Sequence, residues 1–256
     1  MENTPSSTMR ILLLNPNSST AMTDSMLQAA KSTPISASLE IVSMTATSAA
    51  PASINNNQDI QASTEDILVE SLAKKSDLFR GFDAILIACF SVHTLVPELS
   101  LRLDVPVTGI FEASILTALS LLRRPSEQWG IVTTGEFWEK HLREGVDEYL
   151  GIRGRAEHAK FAGVFSSGLT AGELHSVDAG VVKRKLGLAA RRLLMSGNVT
   201  CVVMGCGGMA GLEESIRSAA VEVYGESRAK GVYIVDGVKA GILQLHQAVH
   251  SKRTFR

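Results

Sequence analysis

The chain has few cysteines and few aromatic residues, no excess of charge of either sign, and no long apolar run. Its 256 residues include three cysteines, too few for a disulfide scaffold and an odd number that cannot all pair within one chain. The net charge is -1, with 25 Lys+Arg against 26 Asp+Glu, which argues against the basic face of a nucleic-acid-binding protein. No apolar run approaches the roughly 20 residues that span a bilayer, so we expect no membrane segment.

The first residues also lack the basic and apolar segments of a signal peptide. We therefore expect a cytoplasmic protein with reduced thiols, and a flexible N-terminus over residues 1–8. The chain is long enough for one large α/β domain or two small ones, each with its own core.

Short apolar runs recur along the chain, and longer helix-like segments follow them. The runs are apolar on both faces, as in parallel strands covered by helices on each side, and they span residues 11–14, 84–88, 105–108, 130–133, 199–205 and 232–235. Helical spacing of apolar residues covers 67–75 and 181–195. Thr170 and Glu173 have the spacing of a capping box at a helix start. The pattern predicts an α/β fold with mostly parallel sheets flanked by helices.

A weak internal repeat divides this pattern into two halves. One apolar run ends at Cys89 and another ends at Cys206, 117 positions later. The polar turns that begin at Asn15 and Thr133 recur at a similar offset. We therefore predict two pseudo-symmetric lobes that face each other across a cleft. Each would present one cysteine at the carboxyl end of a strand, where open α/β sheets bind ligands.

The repeat also predicts the lobe boundaries. The first lobe is expected to comprise residues 9–111 together with 238–256, because the last helix would pack back on it. The second lobe would span residues 112–237.

The surroundings of the two cysteines differ in sequence. A free cysteine is most often a small buried hydrophobe, and Cys89 alone would be interpreted that way. Cys206 is followed by Gly207 and Gly208, which allow backbone amides to approach a ligand closely. A helix that begins near Met209 would lower the pKa of the Cys206 thiol and stabilise its thiolate.

The other potential ligands give no metal motif. Cys201 falls in the middle of a predicted strand and is expected in the core, and its spacing to Cys206 is not that of a zinc site. His246 and His250 are expected on a solvated helix face, whereas His93 is a candidate to lie near Cys89. The other three histidines have no evident partner: His141, His158 and His175.

The two polar turns have both a structural and a binding interpretation. Asn17, Ser18 or Ser19 can cap the next helix, and the same free amides and hydroxyls can hold an anion or a carbonyl group. Thr133 and Thr134 have the same character. The glycine-rich motifs of dinucleotide and P-loop sites and the nucleophile elbow of serine hydrolases do not occur.

Taken together, these stretches resemble the aspartate/glutamate/hydantoin racemase superfamily, and within it a fungal-type variant of the hydantoin/allantoin racemase branch. The matching segments are residues 14–19, 51–54, 87–90, 109–113, 132–134, 204–209 and 235–238. The resemblance implies that Cys89 and Cys206 are the two catalytic bases, with no cofactor and no metal. The sequence departs from the branch after Cys89, where residues 91–94 replace its usual Asp-Pro-Gly type of turn, and at Asn55, where glutamate is common.

The implied activity is cofactor-independent racemisation of a 5-substituted hydantoin or of allantoin by 1,1-proton transfer between two thiols. Two acid/base groups on opposite faces of a carbon can remove and return a proton without turning the substrate. The expected binding residues for this small-molecule substrate are Asn15, Ser19, Ser53, Phe90, Ser91, Thr133, Thr134, Gly207 and Gly208.

Two other interpretations stay open. The chain is also compatible with another cysteine-pair member of the superfamily: an amino-acid racemase, a maleate-type isomerase or a decarboxylase. A catalytically silent small-molecule binder that kept the fold is the alternative from a different class. The resemblance leaves room for a homo-oligomer, and no nucleic-acid or membrane partner is expected.

Overall fold

In the computed structural model, which describes residues 8–73, 77–152 and 159–256, eight strands form two four-stranded parallel sheets. The strand order is β2-β1-β3-β4 in the first sheet and β6-β5-β7-β8 in the second. The strands are β1 (Met9–Asn15), β2 (Leu39–Thr45), β3 (Ala84–Ile87), β4 (Val107–Gly109), β5 (Gln128–Thr133), β6 (Phe161–Ser166), β7 (Val199–Gly205) and β8 (Tyr233–Asp236).

Nine α-helices connect and cover the strands in these described ranges. They are α1 (Thr20–Lys31), α2 (Asn57–Ala73), α3 (Leu95–Arg102), α4 (Ile110–Leu121), α5 (Phe137–Tyr149), α6 (Glu173–Ser176), α7 (Ala179–Met195), α8 (Glu213–Ala229) and α9 (Gly237–Thr254). Residues 1–7, Lys75 and His158, which figured in the sequence predictions, lie outside the described residues. None of the helices in the described ranges is long and apolar enough to cross a membrane.

The α/β prediction is confirmed, and all six predicted strands are present. The central strands β1, β3, β5 and β7 are almost entirely buried, as expected for strands with helices on both faces. The strand predicted at 105–108 is instead β4, which begins after Pro106, because proline has no amide hydrogen to donate to a ladder.

Sequence reasoning missed two edge strands, β2 and β6. Each is at the end of its sheet, and β2 is partly exposed along its whole length. Edge strands need no continuous apolar run, because part of their surface faces solvent. The pattern that identified the central strands is therefore absent from β2. β6 is mostly buried and carries an apolar run from Phe161 to Phe165, which sequence reasoning overlooked.

The two sheets repeat the same arrangement, as the sequence repeat predicted. β1 pairs with β3 so that Leu14 lies opposite Ile87, and β5 pairs with β7 so that Thr133 lies opposite Gly205. The strands of both central pairs are parallel, so their carboxyl ends lie at the same edge of each sheet. The two cysteines that follow β3 and β7 therefore occupy equivalent positions.

The last helix returns to the first half of the fold. α9 contacts α1, α4, β3 and β4, and its Gly241 lies so close to β3 that a Cβ there would stand 2.4 Å from the side chain of Leu86. The same helix also contacts β7 and β8. The lobe boundaries at residues 111, 112, 237 and 238 stay predictions.

Side-chain caps define several helix starts. Ser19 accepts a hydrogen bond from the Met22 amide at the start of α1, and Asp236 accepts from the first turn of α9. The predicted capping box is present before α6: the Thr170 amide donates to Glu173 Oε2 at 2.7 Å, and the Glu173 amide donates to Thr170 Oγ1 at 3.2 Å. This reciprocal pair fixes the short α6 helix against the preceding loop.

Candidate active site

The carboxyl ends of the central strands of both sheets meet at one small cavity. It measures about 30 Å³, enough for one or two water molecules. Residues from both lobes line it: Asn17, Met22, Met26, Ile54, Ala88, Cys89, Phe90, Thr134, Trp138, Ala171, Gly205, Cys206, Gly207 and Gly208. The fold therefore brings together the two cysteines that sequence reasoning singled out.

Cys89 follows β3 and is held in an apolar setting with one hydroxyl neighbour. Its sulfur lies 3.3 Å from Ser91 Oγ, and Ser91 is fully buried. Burial raises the pKa of the Cys89 thiol to about 12. The Ser91 hydrogen bond acts in the opposite direction, whereas negative charge on Cys206 or Glu112 raises the Cys89 pKa further.

Cys206 follows β7 at the start of the tight 3₁₀ turn Gly207–Met209. Burial raises the pKa of its thiol to about 11, and hydrogen bonds from the Gly208 and Met209 amides act against that rise. The expectation that a helix near Met209 would lower the pKa of Cys206 is wrong. Only one 3₁₀ turn follows the sulfur, α8 begins later at Glu213, and the loss of water outweighs the two amide hydrogen bonds.

Gly207 and Gly208 have different surroundings. A Cβ on Gly207 would stand 2.6 Å from Met26 Sδ and 3.3 Å from the Ala88 carbonyl oxygen, so this residue lies tightly against the first lobe. The Gly208 amide donates to the Cys206 sulfur. Gly208 lines the cavity, and its role in substrate binding stays a prediction.

The turn after β1 contributes a residue that sequence reasoning did not select. Asn15 is fully buried, and its Nδ2 donates to Asn17 Oδ1 at 2.9 Å and to Thr23 Oγ1 at 3.0 Å. The Ser19 amide also donates to Asn17 Oδ1, at 2.9 Å. Asn15 and Ser19 therefore organise the turn and lie outside the cavity lining, whereas Asn17 lines the cavity.

The network around Asn17 leaves its amide nitrogen available. Its oxygen accepts two hydrogen bonds, so Nδ2 is the free end of the side chain, and its neighbour is the weakly accepting Met22 Sδ at 3.4 Å. Asn17 thus holds a hydrogen-bond donor at the cavity. The signal was in the sequence, because Asn17 lies in the polar turn already identified, but spacing alone did not distinguish it from Asn15.

Some of the remaining predicted binding residues line the cavity, and others hold the strands and turns around it. Phe90 and Thr134 line the cavity, and Phe90 packs edge-on against Phe111 with ring centroids 5.5 Å apart. Thr133 donates from Oγ1 to the Gly205 carbonyl at 2.8 Å and so ties β5 to β7. The Ser53 hydroxyl donates to Asn55 Oδ1, and its neighbour Ile54 lines the cavity instead.

His93 and Cys201 have structural roles. His93 accepts the Leu95 amide at Nδ1, its Nε2 lies 3.1 Å from Ser63 Oγ, and burial lowers its pKa to about 3. It lies outside the cavity lining, so its proximity in sequence to Cys89 did not place it in the site. Cys201 is fully buried in β7, as predicted. In the three described ranges no cluster of His, Cys, Asp and Glu side chains could hold a metal ion.

The fold and this cavity define a two-lobed α/β protein with a cysteine from each lobe beside one pocket. Comparison with known proteins identifies the family. The family model described as "Asp/Glu/Hydantoin racemase" matches residues 11–245. The chain belongs to the Asp/Glu/hydantoin racemase family.

Individual relatives span nearly the whole chain. "Uncharacterized protein C1F7.10" of Schizosaccharomyces pombe is 33% identical over 238 residues, which cover 91% of this chain and 89% of the relative. A hydantoin racemase of Pseudomonas sp. is 29% identical over 91% of this chain and 83% of its own length. The crystal structure of allantoin racemase from Pseudomonas fluorescens superposes with a TM-score of 0.75 at 27% identity, covering 95% of this chain and 92% of that one.

Proposed function

We propose that the protein is a cofactor-independent racemase of 5-substituted hydantoins or allantoin that transfers protons through Cys89 and Cys206. The observation that carries this proposal is that the two cysteines follow equivalent strands of the two lobes and line the same cavity. Free thiols so placed can act on the two faces of one carbon. The hydantoin and allantoin racemases among the relatives support the same substrate class.

The chemistry of the cavity favours a neutral ring over a free amino acid. Among the described residues that line it, none carries a charged side chain. A free amino acid would bring an ammonium and a carboxylate group into this space, and buried charges without partners are costly. A cyclic ureide carries no formal charge, and its polar edge needs only hydrogen-bonding groups.

The proton balance of the reaction is simple. One cysteine, as thiolate, takes the hydrogen from C5 of the ring, and the electron pair of the C–H bond delocalises onto the adjacent carbonyl oxygen. The other cysteine, as thiol, then gives its proton to the opposite face of C5. The product has inverted configuration, and the two sulfurs have exchanged protonation states, so the pair titrates as a coupled unit.

The developing negative charge on the carbonyl oxygen needs hydrogen-bond donors that are already in place. Asn17 Nδ2 is our first candidate, because the side-chain oxygen is held by two donors and the nitrogen donates at the cavity to the weak acceptor Met22 Sδ. Thr134 from the second lobe is the second candidate, since it also lines the cavity. Asn15 holds Asn17 by a hydrogen bond to its side-chain oxygen, and Thr133 donates to the Gly205 carbonyl oxygen.

Substrate binding requires the cavity to widen. A space of about 30 Å³ holds water but no five-membered ring. Met22 and Met26 form part of the wall, and methionine side chains adapt readily to a changed shape. We propose that these side chains withdraw, with or without a small opening of the lobes, when the ring enters.

The test is circular dichroism of pure enantiomers of allantoin, 5-methylhydantoin and aspartate, followed over time with the purified protein. We expect decay of the signal for at least one of the two cyclic ureides and none for aspartate. Cys201→Ala is the matched control, because Cys201 lies outside the cavity, and it should keep the activity. Activity on aspartate alone would favour an amino-acid racemase.

A stable signal with all substrates, together with thiols unprotected by ligand from iodoacetamide, would favour a silent binder. The mechanism also requires reduced thiols, and the three cysteines are free. We therefore propose a reducing compartment such as the cytoplasm. A homo-oligomer stays an expectation from the family resemblance.

A further inference from the structure

The short helix α6 brings a histidine to the second cysteine. The Thr170–Glu173 capping box fixes the start of α6, and α6 contacts the 3₁₀ turn Gly207–Met209. Ala171, just before the helix, lines the cavity. The capping box therefore positions a segment that touches the candidate active site.

His175 and Cys206 border the same gap beside Gly208. A Cβ built on Gly208 would stand 3.1 Å from His175 Nε2 and 3.6 Å from Cys206 Sγ. Because Gly208 has no side chain, the imidazole and the sulfur both border one small space at this position. His175 is also exposed to solvent, whereas the sulfur of Cys206 is shielded by its burial.

A two-thiol racemase needs a proton path of this kind. After the conversion of one enantiomer, the cysteine that began as thiolate holds the C5 proton, and the other has lost its own. Another turnover in the same direction requires one proton to leave the first sulfur and one to return to the second. A solvent-exposed imidazole near one thiol has two ring nitrogens, one of which can face the thiol while the other exchanges a proton with water.

Other titratable groups are less suited to this task. His93 is buried and engaged with Ser63 and the Leu95 amide. Glu112 acts electrostatically on Cys89, and its Oε2 is shielded from water. Apart from the two cysteines, the residues that line the cavity in the described ranges include no titratable side chain.

We propose that His175 relays protons between the Cys206 thiol and solvent through the gap at Gly208. His175 thus acts through Cys206 and does not touch the substrate. This inference rests on the proposed racemase function. In this proposal the capping box holds α6 in place, and His175 on that helix serves the proton exchange of Cys206.

The test compares wild type with His175→Gln in two measurements. The first is the initial rate with one pure enantiomer at saturation, where each turnover needs the proton return. We expect this rate to fall about five- to tenfold with little change in KM, and imidazole added to the buffer to restore it. The second is the rate at which a label passes between the two enantiomers in a racemic mixture at equilibrium. This passage needs no return of protons between the sulfurs and solvent, so its rate should stay unchanged.

His250→Gln is the matched control, because His250 is exposed on α9, and it should leave both measurements unchanged. An active wild type whose His175→Gln variant shows equal rates, or equal losses in both measurements without response to imidazole, would overturn the role of His175. An inactive wild type would instead overturn the proposed function, and this inference with it.

Discussion

The two cysteines follow equivalent strands, yet the chain surrounds them differently. Cys89 has one side-chain hydroxyl from Ser91 and the nearby carboxyl group of Glu112. Cys206 has two backbone amides and no acidic neighbour among the groups that shift its pKa. Burial raises both pKa values, to about 12 for Cys89 and about 11 for Cys206.

This difference shows how one fold repeat can yield two distinct thiols. After Cys206, the residues Gly207 and Gly208 form a turn whose amides lower the pKa of the thiol, whereas after Cys89 the hydroxyl of Ser91 contacts the sulfur. Amide donors favour the thiolate, so we expect Cys206 to ionise before Cys89. Among enzyme molecules that carry a thiolate, we therefore expect Cys206 to be the base more often and Cys89 the acid.

The largest expected effect comes from removing either sulfur. Cys89→Ser and Cys206→Ser should each lower racemisation by about 10³-fold or more, because a positioned acid or base contributes roughly 10²–10⁴-fold. If the two thiols are unequal, Cys89→Ser should retain exchange of the C5 proton of one enantiomer with D2O, since Cys206 still ionises. Proton NMR in D2O measures this exchange.

Cys201→Ala serves as the control for these variants, because it removes a sulfur outside the cavity. Equal residual exchange in both serine variants would show that the two sulfurs are equivalent, against the comparison drawn above.

The second effect is on the pH profile. Both thiol pKa values lie above the ordinary value, so thiolate is scarce at neutral pH and its fraction grows as the pH rises. We expect kcat/KM to increase about tenfold per unit between pH 7 and pH 9, without a plateau in that range. Polarimetry at each pH, corrected for uncatalysed racemisation, measures the slope.

A plateau that begins near pH 7 would mean that one thiolate is already formed there. In that case the amide hydrogen bonds at Cys206 would outweigh burial, and the difference between the two sulfurs would be larger than the structure indicates.

A smaller effect is expected from the one hydrogen bond that favours the Cys89 thiolate. Ser91→Ala removes this bond, which should raise the Cys89 pKa further and lower kcat about fivefold, the equivalent of roughly 1 kcal/mol. Glu112→Gln removes a nearby negative charge and should shift the Cys89 pKa in the opposite direction. Alkylation rates of Cys89 as a function of pH give both shifts.

The two variants control for each other, because one is expected to raise and the other to lower the pKa of the same thiol. If both variants shift the Cys89 pKa in the same direction, the cause is a general disturbance of the site and not the loss of these specific contacts.

The smallest effect is the order of alkylation in the wild type. Cys206 should react with iodoacetamide about threefold faster than Cys89, since its greater thiolate fraction is partly offset by the lower nucleophilicity that accompanies a lower pKa. Cys201, fully buried in β7, should react last. Mass spectrometry of the three cysteine peptides gives the order, and faster labelling of Cys89 would reverse the assignment of first base and first acid.

Much of the fold follows from local pattern. The central strands β1, β3, β5 and β7 are apolar on both faces, so composition identified them. Helical spacing over 67–75 and 181–195 indicated α2 and α7. The edge strand β2 was missed because a strand partly exposed to solvent carries no such run. β6 does carry an apolar run and is mostly buried, so exposure does not explain why it was missed. The capping box at Thr170 was identified correctly because all its contacts lie within four residues.

The candidate site was predicted only in part. Cys89 and Cys206 follow buried strands, and a strand end can be identified from the sequence. Asn15 and Asn17 are two positions apart in one turn, and only the hydrogen-bond network shows that the first supports the turn while the second faces the cavity. Met22, Met26 and Trp138 line the cavity through helix packing that no short pattern encodes.

The sequence by itself determined the family, the repeat of two α/β halves and the two thiols, because each depends on residues close together in the chain. Only the tertiary structure decided how the thiols differ, which asparagine lines the cavity and which histidine lies beside Gly208 near Cys206. Those properties depend on burial and on contacts between residues that are far apart in sequence, and water is excluded only once the lobes are packed together.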